Sequence, residues 1–409
     1  MLGAMLGKVI GGRYKLLYFL GGGGFGYAYF ARDQDFSTEG WCLVKQMSFG
    51  NPLSPMSREE RIQRFKQEAE TLNLLGEYDK IPRLHDYFEE NEQFYLVEDF
   101  IDGHNLEEEL SNFKLSEYEV YSLVKDVLET LEFVQEKNII HRDITPDNLI
   151  RRLADRKIVL IDFGAVKRII SEDRFRRSPT ISIGKEVYMP DEQASGRPRR
   201  CSDIYAIGII GIQACIGDTP EKDYDSGELI WRGKVSINPN FANILEKMTS
   251  CNWRNRYQIA SEVLIDLDKI SSEINKTSTS NFYRKNYAKI WYVRGNEMRN
   301  KKLHEEAIFL YKKAIEIKRD YYKALFNIGV TFSYLKKYED AIEYYDKALA
   351  VKPQSAETLL HKAIALGVLN RLIDAFQVFQ DAFSLKKTNK STRIYKRYAD
   401  SIALDANCI

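Results

Sequence analysis

Three groups of residues in this 409-residue chain have the types and spacing to handle a phosphorylated ligand. The stretch LGGGGFGYAYFA, residues 20–31, carries G-x-G-x-x-G at Gly21, Gly23 and Gly26. Residues this small let a backbone approach phosphates, with N–H groups pointing at the anionic oxygens. A dinucleotide-binding fold would place a helix directly after the last glycine. YAYFARD reads instead as an aromatic strand, which argues against that fold. Lys45, in WCLVKQM, falls in the next predicted strand, where its charge would sit on the phosphates. Farther on, HRDITPDNLI (141–150) holds Asp143 and Asn148, and LIDFG (160–164) holds Asp162. Carboxylates and amides are hard oxygen groups of the kind Mg²⁺ takes.

In this order and spacing, the motifs resemble those of eukaryotic-type (Hanks-type) serine/threonine protein kinases; HRDITPDN has the catalytic-loop form H-R-D-x-x-x-x-N. The resemblance implies ATP and Mg²⁺ as cofactors, with Mn²⁺ as an alternative. It places Leu20, Gly21, Gly22, Gly23, Gly24, Phe25 and Gly26 over the phosphates. It pairs Lys45 with Glu68, with Glu70 as the nearby rival. Asp143 is implied as the base for the substrate hydroxyl, and Asn148 and Asp162 as the metal ligands. Around the purine it implies Ile150 as the floor, Glu98 at the back wall, and base contacts from the backbone of Asp99 and Ile101. Ala28 and Leu43 stand where the family carries valine and alanine; one loses volume and the other gains it, so the slot keeps its total packing. An acid at position 98 is uncommon in the family. His141 and Phe163 are expected to pack, Gly164 to give the chain freedom to turn, and Asp203 to hold the catalytic-loop backbone. Glu192 in YMPDEQ is expected to pair with Arg256.

One departure bears on activity. Most such kinases have a lysine two residues after the aspartate, where this chain has Thr145. Their downstream threonine, before the YMPDEQ region, is here Lys185. The two positions face each other in the family fold, so the resemblance implies a swap, with Lys185 supplying the charge and Thr145 the hydroxyl. The alternative is a nucleotide-binding pseudokinase scaffold or an adaptor. Arg142 is expected to grip a phosphorylated residue of the following loop, where Ser178, Thr180 and Ser182 are candidate sites.

The elements that position these residues follow from local pattern. RYKLLYFL, YAYFARD and WCLVKQM are short aromatic and β-branched runs divided by turn residues. SREERIQRFKQEAETLNLLG has Ile62, Phe65, Ala69 and Leu72 at helical spacing and stops at Gly76. The expected architecture is α+β, a bilobal kinase fold over residues 8–270. Its β-rich lobe covers about 8–98 and its helical lobe about 102–270. The apolar run IYAIGIIGIQACIG (204–217) is too short for a bilayer and reads as a buried helix. A polar linker is expected at 271–286.

Beyond it, EEAIFLYKKAIEI at 305, EDAIEYYDKALAV at 339 and IDAFQVFQDAFSL at 373 recur every 34 residues, a pattern that resembles tetratricopeptide repeats. The units cover about 288–321, 322–355 and 356–389 of an all-α solenoid spanning 287–409. Small residues, Gly295, Gly329 and Ala363, are expected where paired helices cross, and STRIYKRYADSI (391–402) is expected as a cap helix. The pairing of the two parts is similar to cyanobacterial kinases with C-terminal repeats, and implies protein substrates and a peptide or protein partner in the repeat groove.

Hydrophobic residues make up 44% of the chain, enough for true cores, and 60 basic against 59 acidic residues give a net charge of +1. That balance gives no push toward nucleic acid or a membrane surface. Five scattered cysteines read as free thiols in a reducing, cytoplasmic setting. The first residues repeat MLG, so translation starts at Met1 or Met5, and they lack the pattern of a signal peptide.

Overall fold

The computed structural model describes residues 5–23, 26–35, 40–47, 57–168, 186–223, 227–274 and 280–385, with side chains of 168, 186 and 280–286 not described. Gly24, Phe25, the loop residues Ser178, Thr180, Ser182 and Lys185, Cys408, and the expected cap helix 391–402 lie outside the described residues. The chain divides into two compact units, Met1–Thr277 and Ser278–Ile409.

The first unit begins with a six-stranded antiparallel sheet ordered β1-β2-β3-β4-β6-β5. Its strands are β1 (Val9–Ile10), β2 (Tyr14–Gly23), β3 (Gly26–Asp33), β4 (Trp41–Met47), β5 (Leu84–Glu90) and β6 (Gln93–Asp99). Alternation along each strand divides side chains between two faces. One face buries Tyr14, Leu16, Tyr29, Ala31, Val44, Tyr95 and Val97 in a small core, against which Met5 and Leu6 pack. The opposite face contributes Met47, Phe94 and Leu96 to the main core. The register sets Ala28 opposite Lys45, Leu43 opposite Glu98 and Lys45 opposite Leu96, so Ala28, Leu43, Lys45 and Glu98 share that second face.

Helix α1 (Arg58–Leu75) covers this face. Ser57 caps its N-terminus reciprocally with Glu60, and Gly76 stops it at the other end. Its buried positions Phe65, Ala69 and Leu72 form the apolar stripe, and Glu68 lies between them in sequence.

The helical part follows: β7 (Gly103–Asn105), α2 (Leu106–Asn112), α3 (Glu117–Glu136), β8 (Ile139–Ile140), β9 (Leu149–Arg152), β10 (Ile158–Leu160), β11 (Lys167–Arg168), α4 (Asp191–Ala194), α5 (Arg200–Ile216), the short hairpin β12–β13 (Glu221–Lys222, Leu229–Ile230), α6 (Pro239–Thr249) and α7 (Ala260–Lys269). Helix α5 is apolar all round and buried along nearly its whole length, as a central helix must be. It packs on α3 and α6. A Cβ at Gly211 would come within 2.9 Å of both Leu245 and Val124, so the close approach of these helices needs the missing side chain. Among the described cysteines, Cys42, Cys201 and Cys215 are buried free thiols and Cys251 is partly buried. Among the described residues no helix is long and apolar enough to cross a membrane.

The second unit is three pairs of antiparallel helices: α8 (Ser280–Asn300) with α9 (His304–Ile317), α10 (Tyr322–Tyr334) with α11 (Tyr338–Val351), and α12 (Ala356–Val368) with α13 (Leu372–Leu385). The stretch expected as linker to residue 286 is shorter, because α8 already starts at Ser280. Its first turns are polar, so composition alone disguised them. A Cβ on Gly295 would lie 2.5 Å from the Tyr311 ring, and one on Gly329 2.5 Å from the Tyr345 ring. In the third pair Ala363 meets Phe379 within one small core.

Candidate active site

The glycine stretch is the end of the β2–β3 hairpin. Gly21 pairs with Ala28, Gly22 with Tyr27 and Gly23 with Gly26. At Gly26 a Cβ would fall 2.1 Å from the Gln46 carbonyl oxygen of β4, so no other residue fits there without moving backbone. Under the hairpin lies a cavity of about 490 Å³. Gly21, Gly22, Gly26 and Ala28 line it, together with Lys45, Glu68, Asp143, Asn148, Asp162 and Gly164. Sequence reasoning missed Arg61 and Arg64 of α1 and Asp147, which also line it. Helical periodicity places the arginines one and two turns before Glu68, but charged helix residues usually face solvent, so nothing singled them out.

Lys45 Nζ donates to Glu68 Oε1 at 2.7 Å, while the rival Glu70 is exposed. A second carboxylate, Glu98 Oε1, lies 3.1 Å from the same ammonium, with its side chain 1% exposed. Burial works against the Lys45 charge, but the carboxylates of Glu68, Glu98 and Asp162 outweigh it and hold the lysine protonated above its ordinary range. Burial pushes Glu68 and Glu98 up in turn, and Lys45 pulls each back only in part.

Two non-glycine residues here have left-handed backbones: Arg142, with φ 68°, and Asp162, with φ 64°. Each such conformation costs on the order of 1–2 kcal/mol and persists where neighbours over-determine it. The Asp203 carboxylate accepts from the backbone N–H of His141 at 2.8 Å and of Arg142 at 2.9 Å, which pins the first turn. Gln193 Nε2 donates to the Arg142 carbonyl at 2.6 Å, and Arg142 Nε donates to the Ala165 carbonyl at 2.5 Å. Asp162 Oδ1 accepts from the Gly164 N–H at 3.2 Å. A Cβ on Gly164 would lie 3.3 Å from both Asp162 and Glu68, so a side chain there would crowd two acids of the site.

Asn148 Nδ2 donates to the Asp143 carboxylate at 3.0 Å and to its carbonyl at 2.9 Å. That bond fixes the carboxylate and leaves the Asn148 amide oxygen as its remaining hard donor. His141 and Phe163 are fully buried with rings edge to face at 4.8 Å, and burial holds His141 neutral by pushing its pKa down. Glu192 Oε1 meets Arg256 at 2.7 Å and accepts from Ser202 Oγ at 2.7 Å. Arg256 also donates to the carbonyls of Ser250 and Cys251, tying the segment before α5 to the segment after α6. Thr145 is buried, at 3% exposure.

Of the residues expected to bind the nucleotide, Leu20, Leu43, Glu98, Asp99, Ile101 and Ile150 do not line this cavity. Ile150 sits centrally in a three-stranded sheet, paired with Val159 and Asn105. The Asp99 N–H donates to the Arg83 carbonyl at 3.0 Å, so that donor is already engaged. The Asp99 carboxylate is engaged by Arg83 and His85.

Comparison with known proteins agrees with this geometry. Residues 14–282 match the protein kinase domain family, and residues 288–321 and 322–355 match tetratricopeptide repeats. The chain is 36% identical over 274 residues to serine/threonine-protein kinase B of Synechocystis sp., covering 63% of this chain and 47% of that protein. It is 38% identical over 268 residues to serine/threonine-protein kinase PknA of Nostoc sp., with the same shares. With serine/threonine-protein kinase PrkC of Bacillus subtilis it shares 27% over 277 residues, 64% of this chain and 41% of that protein. The chain spans about half the length of the curated relatives it matches. With its kinase domain covering more than half of its length, this chain belongs to the protein kinase family.

Proposed function

We propose that the chain is a protein-serine/threonine kinase that transfers the γ-phosphoryl group of ATP to hydroxyls of protein substrates. The observation that supports this most is that the Lys45–Glu68 pair lines one cavity together with Asp143, Asn148 and Asp162. In this reading the substrate hydroxyl oxygen forms a bond to the γ-phosphorus as the bond to the ADP oxygen breaks. The hydroxyl proton passes to the Asp143 carboxylate, which Asn148 holds in place. Lys45 positions the α- and β-phosphates, with Glu68 orienting the ammonium. The Asn148 amide oxygen and the Asp162 carboxylate are a hard-oxygen donor set that fits Mg²⁺, which when bound would neutralise charge on the phosphates. Thr145 and Lys185 together replace the usual lysine and threonine, with Lys185 supplying the cation near the transferring group. Phosphorylation at Ser178, Thr180 or Ser182 would give Arg142 an anion to hold. The repeats, which stack helix pairs, would dock substrates or partners in their groove.

The test is radiolabelled γ-phosphate transfer from Mg·ATP, to the chain itself and to a generic basic protein. Wild type should label both, and Asp143→Asn should lose the label by several orders of magnitude. If well-folded wild type binds nucleotide without transferring phosphate, the kinase reading is wrong. The chain is then a nucleotide-binding scaffold, and Thr145 marks a lost function.

A further inference from the structure

Lys45 is held from two directions. Glu68 reaches it from α1, and Glu98 from β6, the strand directly hydrogen-bonded to β4 on which Lys45 sits. The register puts Leu43 opposite Glu98, so Glu98 is the diagonal same-face neighbour of Lys45. These partners differ in kind. The Lys45–Glu98 pair is internal to the sheet, so its geometry follows the strand register. The Lys45–Glu68 pair spans two elements and depends on where α1 rests. Glu98 is 1% exposed, and its Oε1 has no hydrogen-bond partner among the described residues other than the nearby ammonium. A buried carboxylate with no compensation is costly, so an acid at this buried position calls for a cation beside it.

We propose that Glu98 is a second positioning residue for Lys45, borne by the sheet, which keeps the ammonium aimed along the cleft wall when the grip of Glu68 is weakened. This inference extends the kinase reading, because Lys45 matters only where there are phosphates to hold. It also assigns a role to an acid of a kind uncommon at this place in the family. Glu68 and Glu98 are then partly redundant: losing either leaves one carboxylate on the lysine, and losing both releases it.

The experiment is a double-mutant cycle on the full chain. The Kd of Mg·ATP is measured by calorimetry, with phosphotransfer followed alongside and thermal melts checking each fold. Removing one of two charged partners from a shared donor should weaken Mg·ATP binding by about threefold for Glu98→Gln and about tenfold for Glu68→Gln. The double variant should weaken binding by about 300-fold, well beyond the roughly 30-fold product expected of independent sites. A double variant no worse than that product overturns the proposal. A second arm removes the ammonium. In a Lys45→Met background Glu98→Gln should change the Kd by less than about twofold, because nothing remains to be held. If Glu98→Gln weakens binding as much in that background, Glu98 acts on the site independently of Lys45 and the proposal fails. Calorimetry reads the cycle even if wild type transfers no phosphate, so failure of the kinase reading and failure of this one are told apart.

Discussion

At the residue scale, the site concentrates charge that would be unstable singly. One ammonium faces the carboxylates of Glu68, Glu98 and Asp162, an arrangement suited to receiving a polyanion with its cation. Catalysis also needs a cation near the transferring phosphoryl group, and Thr145 cannot supply it. If Lys185 does, Lys185→Ala should lower kcat by about 100-fold, the scale for losing one transition-state electrostatic partner. Its Mg·ATP Kd should stay within about twofold, since that interaction acts on the transition state. Adding Thr145→Lys to that variant should recover most of the loss. Steady-state kinetics with a peptide substrate decide it, and an unchanged kcat in Lys185→Ala removes the swap. The motif residues themselves were legible: His141, Asp143, Asn148, Asp162 and Gly164 stand at spacings that carry their own signal. The left-handed backbones of Arg142 and Asp162 were not, because no glycine advertises them. They follow from tertiary hydrogen bonds to Asp203 and within the turn at Gly164. The Lys45–Glu98 contact was equally hidden, since it depends on β4 pairing with β6 across an intervening helix and strand.

At the element scale, each repeat uses one recurring fit, a small residue on the first helix receiving an aromatic ring from the second. Two pairs use glycine and tyrosine, Gly295 with Tyr311 and Gly329 with Tyr345. Both tyrosines are fully buried, and their hydroxyls bond to Asn296 and Ser333. The third pair exchanges both members, with Ala363 against Phe379. A methyl is accommodated there by a ring without a hydroxyl to anchor it. Adding that methyl to the second pair alone should not be tolerated as well. Gly329→Ala gains helix propensity, worth about 1 kcal/mol in isolation. It also drives a Cβ to 2.5 Å from a ring fixed by its hydrogen bond. Overpacking of this kind costs about 1–3 kcal/mol, so the net effect should be destabilising. Adding Tyr345→Phe should recover part of the loss by letting the ring shift. Chemical denaturation of the three proteins measures this, and a stabilised Gly329→Ala would refute the fit. Periodicity made the crossing positions visible in the sequence, because a 34-residue recurrence superimposes equivalent residues. It could not reveal where α8 begins, since SNFYRKN has the composition of a linker.

At the scale of the whole molecule, each unit has core clusters of its own among the described residues. The main core and the sheet's outer core draw only on residues up to Ile274, and the described repeat cores only on residues from Phe326 to Ala382. A segment with its own core can fold and act alone, so under the kinase proposal the first unit should not need the repeats for chemistry. The residues that line the cavity, from Gly21 to Ala165, all fall before the division at Thr277. A chain ending at residue 277 should therefore keep its kcat on a generic basic protein within about threefold, while a docking contribution should be lost from KM on a physiological substrate. A tethered docking site acts through effective concentration, and its removal weakens apparent affinity by about 100-fold or more without touching the transferring step. The two parameters separate the alternatives. A fall in kcat on the generic substrate would make the repeats part of the catalytic machinery. An unchanged KM across substrates recovered by crosslinking to the intact chain would reduce them to a spacer. Preserved kcat with a KM raised only for those substrates is the outcome that docking requires.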